Sequence, residues 1–301
     1  MVRIMKSINK SLQAAIIKAL LRVLALLPFC IAQIVGKMLG WCFYQLPTST
    51  KKIVHTNLSL CFPELSPKQR NQLARLTFME TICTLFELPA FWLWPVPKLQ
   101  GLMKQVSGES LLQSALVAQQ GVIIAMPHLG AWEAMQCYFP GKYTGLIMYR
   151  PLRIKELDAF IRYARERNGC AQLVPASASG VKAMLRCLSQ GGIVVILPDQ
   201  VPGKSGVLAP FFGISARTMN LVQRLSYKTG ARVLFQYIER LGVGKGFHLH
   251  FEAGDALVAD KDPVVAATAL NQGVESCVRK IPAQYQWFYK RFKKSDQNYY
   301  G

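Results

Sequence analysis

Apolar residues follow two different rhythms along the chain, and the change of rhythm divides it. From Leu12 to Pro47 most positions are apolar, but Lys18, Arg22 and Lys37 interrupt them, so the longest charge-free run is Val23 to Gly36. That run is short of the roughly 20 residues a membrane-crossing helix needs. Lys18 and Arg22, at helical i,i+4 spacing, could snorkel and lengthen the buried part, which leaves an interfacial anchor and a full crossing as equal readings. A cleaved signal peptide is the third, since Lys6, Lys10, Lys18 and Arg22 precede an apolar stretch containing Pro28. No convincing small-residue cleavage site follows.

Beyond Pro47 the rhythm becomes helical and then alternates. Pro63, Pro67 and the periodicity from Gln69 to Leu88 predict a helix capped near Ser66 and ended by Pro89, Pro95 and Pro97. Short β-rich runs follow at Gly121 to Met126, Gly145 to Tyr149, Gly192 to Leu197 and Ala231 to Ile238. Helical patterns separate them near Leu152 to Asn168, Ser179 to Gln190 and Thr218 to Thr229. The expected fold is therefore α/β. Continuous apolar strands such as Val122 to Ala125 and Ile193 to Ile196 must be covered on both faces, which predicts a central mixed, largely parallel sheet flanked by helices. Ligands of such sheets sit at strand ends, and the two loops leaving these runs, Pro127 to Gly130 and Pro198 to Gln200, carry polar residues.

Composition narrows the partners. Among 301 residues, 51% are hydrophobic and only 17% charged, which excludes a disordered chain. Thirty-six Lys and Arg against 16 Asp and Glu give +20, a field that attracts phosphate-bearing partners: nucleic acid, anionic lipid or an acidic carrier protein. No RNA-binding aromatic signature, zinc-finger spacing or basic zipper accompanies the charge, so nucleic acid is set aside. Eight cysteines are scattered singly, as thiols of a reducing compartment are. A retained anchor with so basic a remainder keeps that remainder in the cytoplasm.

His128 directly follows an apolar strand, and Glu133 stands five residues on. A strand, a tight turn and a helix start can point an imidazole into a cleft while the carboxylate holds one ring nitrogen. Attack of an alcohol on a thioester needs such a base, because the hydroxyl is a poor nucleophile until its proton is removed. Gly130 would admit backbone close to the substrate, and free N–H groups at the helix start would face the oxyanion. Arg150, Arg165 or Arg167 would add to them. Arg150, Arg153, Lys155, Arg162, Arg165 and Arg167 form a basic stretch suited to phosphate, or else a solvated helix face. Asp199 would position a substrate hydroxyl, pair with one of these arginines or cap a turn. Phe211 and Phe212 would line an acyl channel or pack in the core. Lys290, Arg291, Lys293 and Lys294, interleaved with Trp287, Phe288, Tyr289 and Phe292, read as an amphipathic basic end resting on anionic lipid. His248, His250 and Glu252 share one face of a strand, a possible metal site and the basis of a rival enzyme reading.

The string HLGAWE from His128 to Glu133 resembles the His-x4-acid block of the glycerolipid and lysophospholipid acyltransferase superfamily, and specifically that of the lipid A biosynthesis late acyltransferases. Asn57-Leu58 with Cys61 to Glu64 is similar to the stretch ahead of that block. Tyr149-Arg150-Pro151 with Arg165 and Arg167 is similar to the second, Leu197 to Gln200 with Pro210 to Gly213 to the third, and Pro282 with Gln284-Tyr285, Trp287 and Lys290 to Lys293 to the closing segment. Departures at Val201, Ala283, Phe288, Tyr289 and Lys290 bear on acyl chain and acceptor. The resemblance implies a membrane anchor over residues 1–47 and an acyltransferase domain over 48–301, with His128 and Glu133 catalytic and Arg150, Arg165, Arg167, Asp199 and Gln200 binding substrate. It implies acyl carrier protein as donor, an anionic lipid A precursor as acceptor, a monomer without cofactor or metal, and a place on the cytoplasmic face of the bacterial inner membrane. The rivals are a related enzyme acylating another glycolipid or phospholipid, and a non-catalytic basic membrane-surface protein.

Overall fold

A computed structural model describes residues 2–203 and 205–300, with side chains from residue 10 onward, so the expectation for the Lys6 side chain lies outside what is described. The apolar amino-terminal region is two helices, α1 (Val2–Ala25) and α2 (Phe29–Gln45), bent by 119° at the break before Pro28. The charge-free run from Val23 to Gly36 is thus divided by the turn and forms no single straight helix. Pro28 cannot donate to the preceding turn, and the Trp94 indole takes over the Ala25 carbonyl at 2.7 Å. Helix α2 lies against a long later helix, and at Gly40 the two backbones are so close that a Cβ would stand 2.6 Å from the Phe78 carbonyl oxygen.

Thr48 caps α3 (Ser49–Cys61) by accepting from the Lys51 N–H at 3.2 Å. The expected start of α4 (Pro67–Leu93) is a capping box of Ser66 and Gln69. Its expected end at Pro89 is corrected: the helix runs on through Pro89 to Leu93 before Pro95. A mid-helix proline costs about 3 kcal/mol, which the burial of Ala90, Phe91 and Trp92 in one more turn offsets. That extra turn also carries Trp92 to the functional site. By length and composition α4 is apolar enough to cross a membrane, and half of its most apolar window is buried within the protein.

After α5 (Val96–Gln100) the chain alternates: β1 (Met103–Ser107), α6 (Glu109–Val117), β2 (Val122–Ala125), β3 (Gly145–Tyr149), α7 (Lys155–Glu166), β4 (Ala171–Pro175), α8 (Ala178–Ser189) and β5 (Ile193–Ile196). The hairpin β6 (Val207–Phe211) and β7 (Ile214–Thr218) precedes α9 (Leu221–Thr229), β8 (Arg232–Arg240), β9 (Phe247–Ala253) and α10 (Pro263–Lys280). Seven strands form one sheet in the order β1-β9-β8-β2-β5-β3-β4, every pairing parallel except β8 with β9. This is the mixed, largely parallel sheet that the apolar runs predict. Ile123, Ala125, Val194 and Ile196 face a core shared with α10, whereas Val122, Ile124, Ile193 and Val195 face a second core with Phe91, Phe139 and Phe247. Phe211 and Phe212 belong to the first core, edge-to-face with each other and beside Phe62 and Trp287, so packing is their role.

The carboxyl-terminal expectation is corrected. Residues after Tyr285 form turns, and Trp287, Arg291 and Phe292, expected on an amphipathic basic end, are buried. Asn57 holds this segment by donating to the carbonyls of Trp287 at 2.7 Å and Tyr289 at 2.9 Å. The two terminal nitrogens of Arg291 donate to the Arg217 carbonyl, Thr218 and Asn271, which hold the guanidinium inside. Alternation of basic and aromatic residues here separates inside from outside, and Lys290, Lys293 and Lys294 are what remains exposed.

Candidate active site

Parallel strands in register deliver the two central residues. Ala125 at the end of β2 pairs with Ile196 at the end of β5, and three residues beyond each stand His128 and Asp199. Adjacent strands lie about 4.8 Å apart, so side chains at matched positions past the sheet edge can meet. They do: the Asp199 carboxylate accepts from the His128 backbone N–H at 2.9 Å and contacts ring Nδ1 at 2.8 Å. A carboxylate can only accept here, so Nδ1 carries a proton, and in the neutral ring Nε2 presents a lone pair. Burial alone would push the Asp199 carboxyl up, but His128 outweighs it and holds the group below the ordinary aspartate value. Behind it the phenol of Tyr285 is buried, and burial together with the Asp199 charge pushes that phenol well up.

The loop from His128 to Ala131 is fixed by its own backbone. Gly130 has φ +65°, and a Cβ there would stand 1.9 Å from the Ile238 carbonyl oxygen of β8. Gly130 N–H donates to Gln284 O at 2.9 Å, Ala131 N–H to Ile238 O at 2.8 Å, and His128 O accepts from Gln286 N–H at 3.1 Å. Gly130 approaches the protein's own strand and terminal segment, and the N–H groups of residues 128–131 are all engaged within the protein, Leu129 with Pro127 O at 2.7 Å included. The loop then leads into a 3-10 turn, Trp132–Cys137, in place of an α-helix.

That turn also redirects Glu133. The carboxylate on the imidazole is Asp199, and Glu133 instead accepts from Arg165 Nε at 3.2 Å, from Arg165 Nη2, and from the Trp92 indole at 3.1 Å. Its side chain is 7% exposed, so an unpaired charge there would be costly, and the two-pronged guanidinium supplies the compensation. For Arg165, burial draws the pKa down and Glu133 more than reverses it, so the guanidinium stays charged. Arg165, expected as a phosphate or oxyanion ligand, lines the cleft while paired with Glu133. Arg167 leaves the site altogether, donating to the Trp94 carbonyl, because its place two residues past Arg165 turns it to another side of the helix end.

His128, Glu133, Arg150, Arg165 and Gln200 line one cleft of about 270 Å³. Gln200 Nε2 stands 3.3 Å from His128 Nε2 and donates to Gln286 Oε1 at 3.2 Å, so an amide proton faces the ring's lone pair. The Trp132 ring meets the imidazole edge-on with centroids 5.4 Å apart. Met126, Ile147, Met148 and Leu197 give the cleft an apolar wall, while Arg150, itself exposed, stands at its mouth. None of the eight cysteines lines it; all are free thiols, and burial pushes Cys137, nearest in sequence to Glu133, up. Sequence reasoning missed Trp92, which no local pattern marks, and Gln286, whose place near Gln284-Tyr285 in the closing motif was the available signal.

Known proteins of similar sequence are acyltransferases. The family model described as bacterial lipid A biosynthesis acyltransferase matches residues 6–294. A lipid A biosynthesis lauroyltransferase of Escherichia coli (strain K12) is 27% identical over 269 residues, covering 89% of this chain and 87% of that protein. A lipid A biosynthesis palmitoleoyltransferase of the same organism is 26% identical, covering 89% and 86%. A phosphatidylinositol mannoside acyltransferase of Mycobacterium tuberculosis (strain ATCC 25618 / H37Rv) is 24% identical over 56% of this chain and 54% of its own length.

Proposed function

The chain belongs to the bacterial lipid A biosynthesis acyltransferase family, and on that premise we propose that it moves a fatty acyl group from the thioester of acyl carrier protein to a hydroxyl of a lipid A precursor, at the cytoplasmic face of the bacterial inner membrane. The observation that carries this reading is the lone pair of His128 Nε2, turned to a partly apolar cleft while Asp199 holds the opposite nitrogen. The acceptor hydroxyl replaces the Gln200 amide at Nε2. As its oxygen attacks the thioester carbon, the imidazole takes its proton, and the buried carboxylate of Asp199 stabilises the imidazolium. The tetrahedral oxyanion then collapses, the carbon–sulfur bond breaks, and the imidazolium returns the proton to the departing thiolate. Arg165, kept charged by Glu133, lines the same wall and stabilises the developing negative charge. Glu133 serves through that arginine rather than through the ring, and Arg150 at the mouth attracts acceptor phosphate.

Membrane association is part of the proposal. Leu12, Ile16, Leu20 and Val23 form an exposed apolar stripe at helical spacing on α1, and Leu26 in the bend is 84% exposed. Ile31, Ile34, Met38 and Trp41 continue exposed apolar surface on α2. A bent pair with these faces suits insertion along the lipid interface. The acidic donor and the anionic acceptor both suit a chain of +20.

His128→Ala, assayed with acyl carrier protein thioester and lipid A precursors in detergent, is expected to lose turnover by roughly 10³-fold or more while vesicle binding persists. Unchanged turnover overturns the assignment of the base. Mass spectrometry of the product identifies the acceptor, and acylation of a phosphatidylinositol mannoside in preference to lipid A precursors would favour the reading drawn from the mycobacterial relative.

A further inference from the structure

The antiparallel pair β8–β9 places a second group of chemistry-bearing side chains away from the cleft. Glu239 and His248 are register partners, and so are Tyr237 and His250. Partners across a pair share a face, as do residues two apart, so Glu239, His248 and His250 converge. One donor atom from each lies within 4.8 Å of the others. The two imidazole centroids are 3.7 Å apart, and His250 Nε2 is 3.1 Å from Glu239 Oε2. Side chains of His250 and Glu239 are 18% and 30% exposed, so an ion and its remaining waters can enter from solvent.

We infer that Glu239, His248 and His250 form a binding site for a divalent transition-metal ion, Zn²⁺ fitting best, apart from the acyl-transfer cleft. Two imidazole nitrogens and one carboxylate oxygen are a borderline-soft donor set that suits Zn²⁺ and disfavours Mg²⁺ or Ca²⁺, which take oxygen. Tetrahedral ligands at bond lengths of about 2.0–2.2 Å stand about 3.4 Å apart, so modest side-chain rotations close the site. Ser107 Oγ on β1 contacts His248 Nε2 at 2.8 Å, and the Tyr237 ring stacks on His250 at 4.4 Å and 8°. Both contacts restrain ring orientation, and a hydrogen bond on one nitrogen of an imidazole sets the other for a metal. Glu252, the third member suggested by alternation along β9 alone, is engaged by Lys280; the acid comes from the neighbouring strand, which sequence periodicity cannot indicate.

The test uses the untagged full chain in detergent, stripped with chelator and titrated with Zn²⁺ or Mg²⁺ by calorimetry. Expected are saturable uptake of a single Zn²⁺ per chain, none of Mg²⁺, and a melting temperature that rises with Zn²⁺ in the wild type but not in the His248→Ala/His250→Ala variant. Ser107→Ala is expected to bind about 10–100-fold more weakly. Absence of Zn²⁺ uptake, or uptake that survives in the double variant, overturns the site. Should that variant fail to fold, the Co²⁺-loaded wild type decides: visible bands without thiolate-to-metal charge transfer support histidine ligation, and a charge-transfer band assigns the ion to cysteines and refutes it.

Discussion

Arg240 and His128 stand at or just past the carboxyl ends of the parallel strands β8 and β2, both gripped by acids from distant parts of the chain, yet they are built for different ends. Every nitrogen of the Arg240 guanidinium is engaged: Nε and Nη2 donate to Glu87 at 2.7 and 2.5 Å, Nη1 to Glu80 at 2.5 Å, and Nη2 also to Thr84 at 2.9 Å. Its side chain is 1% exposed, and burial's pull on its pKa is overcome by Glu87 and Glu80, which raise it well above the ordinary value. His128 is gripped on one side only. Asp199 takes the backbone N–H and Nδ1, and Nε2 is left to a long contact with an amide on the wall of a cleft. A sealed network fixes the position of β8 against α4, and an incompletely satisfied one keeps a lone pair for chemistry.

The strongest way to break this contrast is to change the carboxylates of the open network. Asp199→Asn keeps shape but offers an amide N–H to Nδ1, favouring the tautomer with its proton on Nε2, so turnover is expected to fall by about 10³–10⁴-fold with little change in KM. Glu133→Gln leaves the tautomer alone and loosens Arg165, for an expected loss nearer 10²-fold. Steady-state kinetics on both variants decide between a ring held by Asp199 and one held by Glu133; a larger loss in the glutamate variant would refute the role given to Asp199.

Arg240→Met should act on stability instead. It strands Glu80 and Glu87 without their shared partner, a cost of about 3–5 kcal/mol for a broken buried pair, read as a lowered melting temperature. The fraction that stays folded is expected to turn over at close to the wild-type rate. Loss of kcat with an unchanged melting temperature would merge the two networks into one functional unit, through Gln284, which bonds Arg240 on one side and Gly130 on the other.

The contrast was only half legible in the sequence. Continuous apolar runs such as Val122 to Ala125 can only be buried strands, and the loops leaving them mark the site end of such a sheet, so His128, Asp199 and Gln200 were within reach. Their pairing was not. Asp199 lies 71 residues from His128, and only the register of β2 with β5 brings them level. Nearness in sequence pointed to Glu133, and the 3-10 turn after Gly130 is what sends it to Arg165 and Trp92. The basic terminal segment misled for a related reason, because charge alternation does not reveal that Arg291 has buried partners in Thr218 and Asn271.

Acid sharpens the comparison more gently. The folded-state pKa of Asp199 is depressed, so its carboxylate contributes stability in full above the ordinary value of 3.8, and that contribution is lost as pH falls through the lower, folded value. The difference in unfolding free energy between wild type and Asp199→Asn is therefore expected to be constant at higher pH and to shrink below that value, from about 1.5–3 kcal/mol for a charge-assisted hydrogen bond. Denaturant melts across the acid range measure it, and a difference that grows on acidification would mean the folded-state pKa is raised.

The smallest effect tests what the amide on the open side does. If Gln200 only fills the lone pair of Nε2 until the acceptor hydroxyl arrives, Gln200→Ala removes a competitor as well as a contact, and kcat/KM is expected to stay within about threefold of wild type, under 1 kcal/mol. An amide that donates to the oxyanion of the tetrahedral intermediate would behave differently, since deleting one such donor costs about 10²–10³-fold in kcat. The loop backbone has no N–H left for that oxyanion between residues 128 and 131, so a loss of that size would move the task from Arg165 to Gln200. Near-constant kinetics would leave it with the guanidinium that Glu133 holds in place.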